Sequence, residues 1–167
     1  KEILKESSIA CYAKILGNRM EKVYLKLAMI RRRRKHMSAS NATVSESKAV
    51  GEGSAIFWST CFVKSMSIAD SIFQDCTFTG TSENAGGTVK TTGKATMVLD
   101  VQRCQFLRNY SHHHGGGLYW NANRNLDDLV CSATVNNCTF DDNEAGEYGG
   151  GIYVESKITI TNCNIKN

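Results

Sequence analysis

The chain has 167 residues, 41% of them hydrophobic and 22% charged, a balance that fits a globular chain of about one domain and excludes a low-complexity one. No apolar run approaches the roughly 18–20 residues of a membrane span, and the opening residues from Lys1 do not read as a signal peptide, so the sequence reads as a piece of something longer. The net charge of +4 is unevenly placed: residues 1–37 hold eleven Lys and Arg against three Glu, whereas residues 38–167 hold nine against thirteen Asp and Glu.

In chain order, residues 2–34 read as a helix. Tyr12, Leu16, Met20, Val23, Leu27 and Ile30 fall at steps of three and four along one face. The run Arg31 to Lys35 suits a helix C-terminus, where cations meet the negative end of the dipole. Residues 1–37 are therefore expected to be a basic amphipathic segment that caps a following fold or links it to something upstream. A polybasic run without aromatic or glycine interleaving is poor evidence for nucleic acid, and none is expected as a partner. Residues 38–50 are small and polar, as a linker or the irregular arm of a first incomplete coil would be.

Residues 51–167 repeat. Placing Cys138 on Cys104 brings Phe140 onto Phe106, Asn143 onto Asn109, Gly149 to Gly151 onto Gly115 to Gly117, and Tyr153 onto Tyr119. Val135 and Cys138 are three apart, so an unbroken strand would send them to opposite faces, whereas a two-residue corner at Asn136-Asn137 lets both point inward. The same frame fits Val101 with Cys104 and Phe106, and Ile160 with Cys163 and Ile165. It fits Phe73 with Cys76 and Phe78 equally, with Gln74-Asp75 as that coil's corner. Cys76, Cys104, Cys138 and Cys163 then occupy one position, at spacings of 28, 34 and 25 residues, unlike any zinc pattern. They read as small buried hydrophobes, with disulfides between adjacent coils as the alternative. With seven cysteines in all, at least one thiol is free or pairs between chains. The glycines at 86–87, 115–117 and 149–151 close each turn of the repeat, and Lys90–Lys94 and Asn121–Asp128 read as loops leaving one edge.

Phe106-Leu107-Arg108-Asn109 and Phe140-Asp141-Asp142-Asn143, each followed by three glycines and an aliphatic residue, carry a family resemblance. The sequence resembles right-handed parallel β-helix repeat proteins, in particular the FxxN and GGA(I/L/V) repeats of chlamydial polymorphic outer-membrane proteins and their eukaryotic relatives. Gly replaces Ala before the aliphatic residue except at Ser54-Ala55-Ile56, and the coil at Cys76 lacks an Asn at the FxxN position. The fold expected is all-β, a right-handed parallel β-helix of about four coils preceded by the basic helix. The resemblance implies surface display or adhesion. The tail from Ile158 to Asn167 is also similar to the generic repeat of pectin-degrading β-helices.

No catalytic constellation converges. Asp127-Asp128 and Asp141-Asp142 read as solvated turn residues, and three consecutive imidazoles at His112 to His114 cannot all face one ion undistorted, so no metal or cofactor is expected. Asn41, Asn109 and Asn137 begin glycosylation sequons in form. If Ile56, Val89, Leu118 and Ile152 point inward, then Phe57, Lys90, Tyr119 and Tyr153 stack on the outside, one per coil. Such a ladder either packs side chain on side chain or forms a platform for a carbohydrate or protein ligand. The expected role is a non-enzymatic cell-surface or secreted binding module. The alternatives are a fragment of a pectate-lyase-like, polysaccharide-active enzyme and a structural spacer.

Overall fold

The computed structural model describes residues 25–26, 36–50, 54–60, 64–81, 86–93, 96–122 and 131–166. Among them the regular structure is all strand, with no helix. After β1 (Leu25–Lys26), the first pass holds β2 (His36–Ser40), β3 (Thr43–Ser45), β4 (Lys48–Ala49) and β5 (Ile56–Thr60). The second holds β6 (Ser65–Ala69), β7 (Ile72–Gln74), β8 (Thr77–Phe78) and β9 (Val89–Gly93). Next come β10 (Met97–Gln102), β11 (Gln105–Leu107), β12 (Tyr110–Ser111) and β13 (Leu118–Ala122). They are followed by β14 (Cys131–Asn136), β15 (Thr139–Asp141), β16 (Glu144–Ala145) and β17 (Ile152–Val154), and last by β18 (Ile158–Thr161) and β19 (Asn164–Lys166).

Like strands of successive passes stack in parallel. Four sheets result, ordered β2-β6-β10-β14-β18, β3-β7-β11-β15-β19, β4-β8-β12-β16 and β1-β5-β9-β13-β17. This is the architecture of a parallel β-helix. Each strand turns alternate side chains to a shared interior, so identical positions form columns. Ile68, Val101 and Val135 make one, continued by the edge residue Ile160. Phe73, Phe106 and Phe140 make another, with ring centroids 5.1 and 4.6 Å apart and the second pair parallel within 1°. All of these except Ile160 are buried in one continuous core.

Two corners per pass keep neighbouring strands facing that core. At the first, Asn41, Asp70, Arg103, Asn137 and Asn162 take φ between 52° and 53°. At the second, Glu46, Asp75, Arg108 and Asp142 take φ between 51° and 54°. A single left-handed residue turns the chain without consuming a loop, and the residue after it points inward again. The glycine turn is different, because Gly115 has φ +60° and a Cβ there would lie 2.6 Å from the Leu118 carbonyl oxygen.

The register corrects the frame proposed for Cys76. Phe73 pairs with Phe106, not with Val101, whose partner is Ile68. The inward column two residues before the phenylalanines is therefore Ala42, Ser71, Cys104, Cys138 and Cys163. Cys76 stands instead three residues after Phe73, where later passes have Asn109 and Asn143. The frame slipped because matching cysteine to cysteine ignored Ser71, a residue of nearly the same size. The corner Gln74-Asp75 is thus the second corner of its pass, and Ala69-Asp70 is the first.

Other expectations also change. At Leu25–Lys26, inside the stretch read as helix, the chain is extended and pairs with Ile56 and Phe57. Residues 1–24 and 27–35, with the rest of that helix reading, lie outside the described residues. Residues 38–50, read as a linker or the irregular arm of a first incomplete coil, supply most of β2 and all of β3 and β4. Ala42, Val44 and Ala49 are buried while Thr43 and Lys48 are exposed, so small side chains carry the alternation that larger ones carry later. Lys90–Gly93 is strand rather than loop, and β13 runs on to Ala122. The remainder of the expected excursion at Asn121–Asp128 lies outside the described residues.

Candidate functional site

The fourth sheet presents the expected ladder. Phe57, Lys90, Tyr119 and Tyr153 are successive register partners, and Lys26 precedes Phe57 in the same column. Their neighbours Ile56, Val89, Leu118 and Ile152 pack in or against the core, so parity sends the ladder to the other face. Nothing is described of the side chain of Phe57.

The ladder differs from an open platform. Tyr119 is 0% exposed and Lys90 3%, although neither belongs to the core cluster. A second column explains it. Gly86, His114 and Tyr148 bridge one another immediately before the glycine turns, and this brings an imidazole and a phenol over the sheet. The His114 ring lies 4.5 Å from that of Tyr153, 5.4 Å from Tyr148 and 6.2 Å from Tyr119, all within 25° of parallel. Tyr119 and Tyr153 are 5.2 Å apart, and the Lys90 ammonium sits 5.6 Å from the Tyr119 centroid. Exposure therefore rises outward through the stack, from Tyr119 and His114 through half-buried Tyr153 to Tyr148, which is 65% exposed.

Glu147 borders this stack. One carboxylate oxygen lies 2.8 Å from His113 Nδ1 and the other 3.5 Å from His114 Nε2. The hydrogen bond from His113 holds the Glu147 carboxyl below its ordinary range. The second nitrogen of each ring, His113 Nε2 and His114 Nδ1, is buried without a hydrogen-bond partner. Such orphaned polar atoms are uncommon in folded proteins and invite an explanation. The Tyr153 hydroxyl lies 3.0 Å from Glu155 Oε1, and desolvation, then this carboxylate, pushes its pKa up to about 12.

Sequence reasoning weighed the histidines as metal ligands, set that reading aside, and missed their stacking role. The available signal was that His114 and Tyr148 stand at one repeat position, each directly before a glycine triplet. Among the described residues no group of three or more His, Cys, Asp or Glu is arranged to hold a metal ion. Of the sequon asparagines, Asn109 is buried with its amide nitrogen bonded to Phe73 O at 3.0 Å and its oxygen accepting from Cys76 N at 3.0 Å. No glycan could be carried there in the folded chain. Asn41 and Asn137 are exposed at corners.

Residues 137–155 match the family model of the Chlamydia polymorphic membrane protein repeat. The matched stretch runs from the corner at Asn137 through the Asn143 column and the glycine turn to Glu155, and so includes Glu147, Tyr148 and Tyr153. The chain thus resembles these repeats both in that stretch and in its stacked parallel strands. No curated protein and no solved structure matches it. No helix among the described residues is long and apolar enough to cross a membrane.

Proposed function

We propose that residues 36–166 belong to a right-handed parallel β-helix of about four coils that serves as a non-enzymatic, surface-displayed binding module, with the stack around Tyr148 and Tyr153 as its ligand face. Right-handed crossovers are the rule for parallel strands joined within one sheet. The matched repeat takes its name from membrane proteins, which supports display at a cell surface.

The observation that carries the binding role is the exposed end of the ring stack, where Tyr148 is 65% exposed beside half-buried Tyr153 and the exposed carboxylate of Glu147. A flat aromatic face takes the C–H face of a sugar, and a carboxylate at its edge accepts from a hydroxyl. That combination favours carbohydrate over an extended acidic peptide. Tyr119 and Lys90 lie beneath and hold the outer rings in place, rather than touching ligand themselves.

Glycan-array binding by the wild type, by Tyr148→Ala and by Tyr153→Ala tests this reading, with polygalacturonate turnover measured in parallel. The expected result is saccharide binding without turnover, weakened in each variant by about 1–2 kcal/mol. Turnover would favour the pectin-degrading alternative. Absence of binding would leave a spacer.

A further inference from the structure

The sequence holds three sequons, and the repeat sets them in different columns. Asn109-Tyr110-Ser111 belongs to the buried asparagine column, where both polar atoms of the Asn109 side chain are engaged and Ser111 is 0% exposed. Asn41-Ala42-Thr43 and Asn137-Cys138-Thr139 begin instead at the first corner. The strands before and after that corner pair in step, so Asn41, Asp70, Arg103, Asn137 and Asn162 follow one another along a single edge.

Asn41 and Asn137 both have φ of 53° and are exposed, while the residues after them, Ala42 and Cys138, are buried. The threonines two residues on return toward solvent, Thr43 exposed and Thr139 half-buried. Exposure here belongs to the position and not to the ends of the solenoid. Asp70 and Arg103 have described passes on both sides, and their ion pair, at 2.6 and 2.8 Å, still leaves the side chains 41% and 52% exposed. That pair fills the middle of the edge. Among the described residues no hydrogen bond or ion pair engages the side chain of Asn41 or Asn137, so a group added to either amide displaces nothing. Three strand spacings, about 14 Å, separate the two, which leaves room for a glycan on each.

We propose that Asn41 and Asn137 are acceptor sites for N-linked glycan and that the first corner is a glycosylated edge of the solenoid. The setting rests on the surface-display reading above, since a displayed chain passes the compartment in which transfer takes place. The amide Nδ2 attacks the anomeric carbon of a lipid-linked oligosaccharide pyrophosphate. The bond from that carbon to the pyrophosphate oxygen breaks, the lipid pyrophosphate leaves with the electron pair, and Nδ2 gives one proton to a base of the transferase. The transferase reads the hydroxyl two residues after the asparagine, which Thr43 and Thr139 supply. Along a pass such as the third, β11, the second corner and β12 lie between this edge and the glycine turn that carries His114, so the glycans stand two strands and a corner away from the ring stack.

The test secretes the full chain from a eukaryotic cell behind an added signal peptide, which delivers it to the transferase whether or not the native protein is displayed. Peptide N-glycosidase in heavy-oxygen water converts each glycosylated Asn to a labelled Asp, and tryptic peptides 36–48, 109–124 and 125–157 separate the three sequons. Protein from the medium, or the protease-resistant fraction where the chain is retained in the cell, should carry label at Asn41 and Asn137 and none at Asn109. Asn41→Asp and Asn137→Asp should each remove one step in gel mobility and the double variant both. Melting should stay unchanged, because Asp70, Asp75 and Asp142 already hold this left-handed conformation. An unlabelled Asn41 or Asn137, or label at Asn109 in folded protein, would overturn the proposal. Saccharide binding does not enter this result, so its failure and the failure of the ring-stack reading are told apart.

Discussion

Asn143 Oδ1 accepts two hydrogen bonds from Asn109, one from the backbone N–H at 3.1 Å and one from the side-chain nitrogen at 2.8 Å. Its own amide nitrogen donates to the Phe106 carbonyl at 2.8 Å. Asn109 treats Cys76 N and Phe73 O in the same way, one pass earlier. The FxxN signature is thus a buried brace: phenylalanine fills the core, the third residue turns left-handed, and asparagine satisfies the backbone the turn leaves unpaired. Asn143→Ala leaves the Asn109 N–H without its acceptor and removes a second donor from the Phe106 carbonyl, which keeps its place in the β11–β15 ladder. At about 1–3 kcal/mol for a buried unsatisfied group, the expected loss is about 1–3 kcal/mol in denaturant unfolding. A loss below about 1 kcal/mol would mean that water takes over the brace.

Cys76 occupies the asparagine position one pass earlier, and its thiol reaches toward the Val44 carbonyl at 3.8 Å, where an asparagine amide would donate. A thiol is a weak donor at that distance. Cys76→Asn should raise stability by about 1 kcal/mol, the net worth of an ordinary hydrogen bond, whereas Cys76→Ala should lower it. Thermal midpoints of the two variants and the wild type give the order directly, and the reverse order would contradict the column assignment.

Much of this was legible from residues 104–154, where two passes nearly superimpose and both motifs stand in register. The period-two alternation, the corners after Gln102 and Asn136, and the inward Cys and Phe could all be read there. Earlier passes were harder to align, because their columns hold substitutes of similar volume but different chemistry, Ser71 for cysteine and Cys76 for asparagine. The proposed face was half legible. Parity identified the Tyr119–Tyr153 ladder, but the cover over Tyr119 depends on where the glycine turn places His114 and Tyr148, and no alternation pattern encodes that.

The corners give a sharper test of register than the core alone. Phe140 is fully buried and stacked on Phe106, so Phe140→Ala should lose about 3–5 kcal/mol. Asp142 is exposed with φ 53°. Asp142→Gly should stay within about 0.5 kcal/mol of the wild type, while Asp142→Val forces a β-branched residue left-handed and should lose about 1–2 kcal/mol. Equal melting of the Gly and Val variants would show that the corner is not where the structure has it.

Acid should act on the imidazole pair. The Glu147 carboxyl is depressed below its unfolded value of 4.5 by His113, so its stabilising contribution is full above that pH and is lost as pH falls through the lower folded value. The melting difference between wild type and Glu147→Gln should therefore be largest above about pH 5 and vanish in stronger acid. A difference that is constant across that range would remove the pairing from the account of this face.

Substitutions in the ring stack should separate support from contact. Tyr119 is fully buried between Lys90, His114 and Tyr153, and truncating a buried aromatic side chain costs about 3–5 kcal/mol. Tyr119→Ala should accordingly melt early and lose binding only because the outer rings lose their backing. Tyr148, 65% exposed, contributes little to packing, and Tyr148→Ala should melt within about 0.5 kcal/mol of the wild type while weakening saccharide binding. Tyr119→Phe keeps the ring and removes the hydroxyl, which accepts from Asn121 Nδ2 at 3.2 Å, and should change binding little. If Tyr148→Ala bound as well as the wild type while Tyr119→Phe did not, the ligand would have to reach the inner ring, and the outward order of the stack would be wrong.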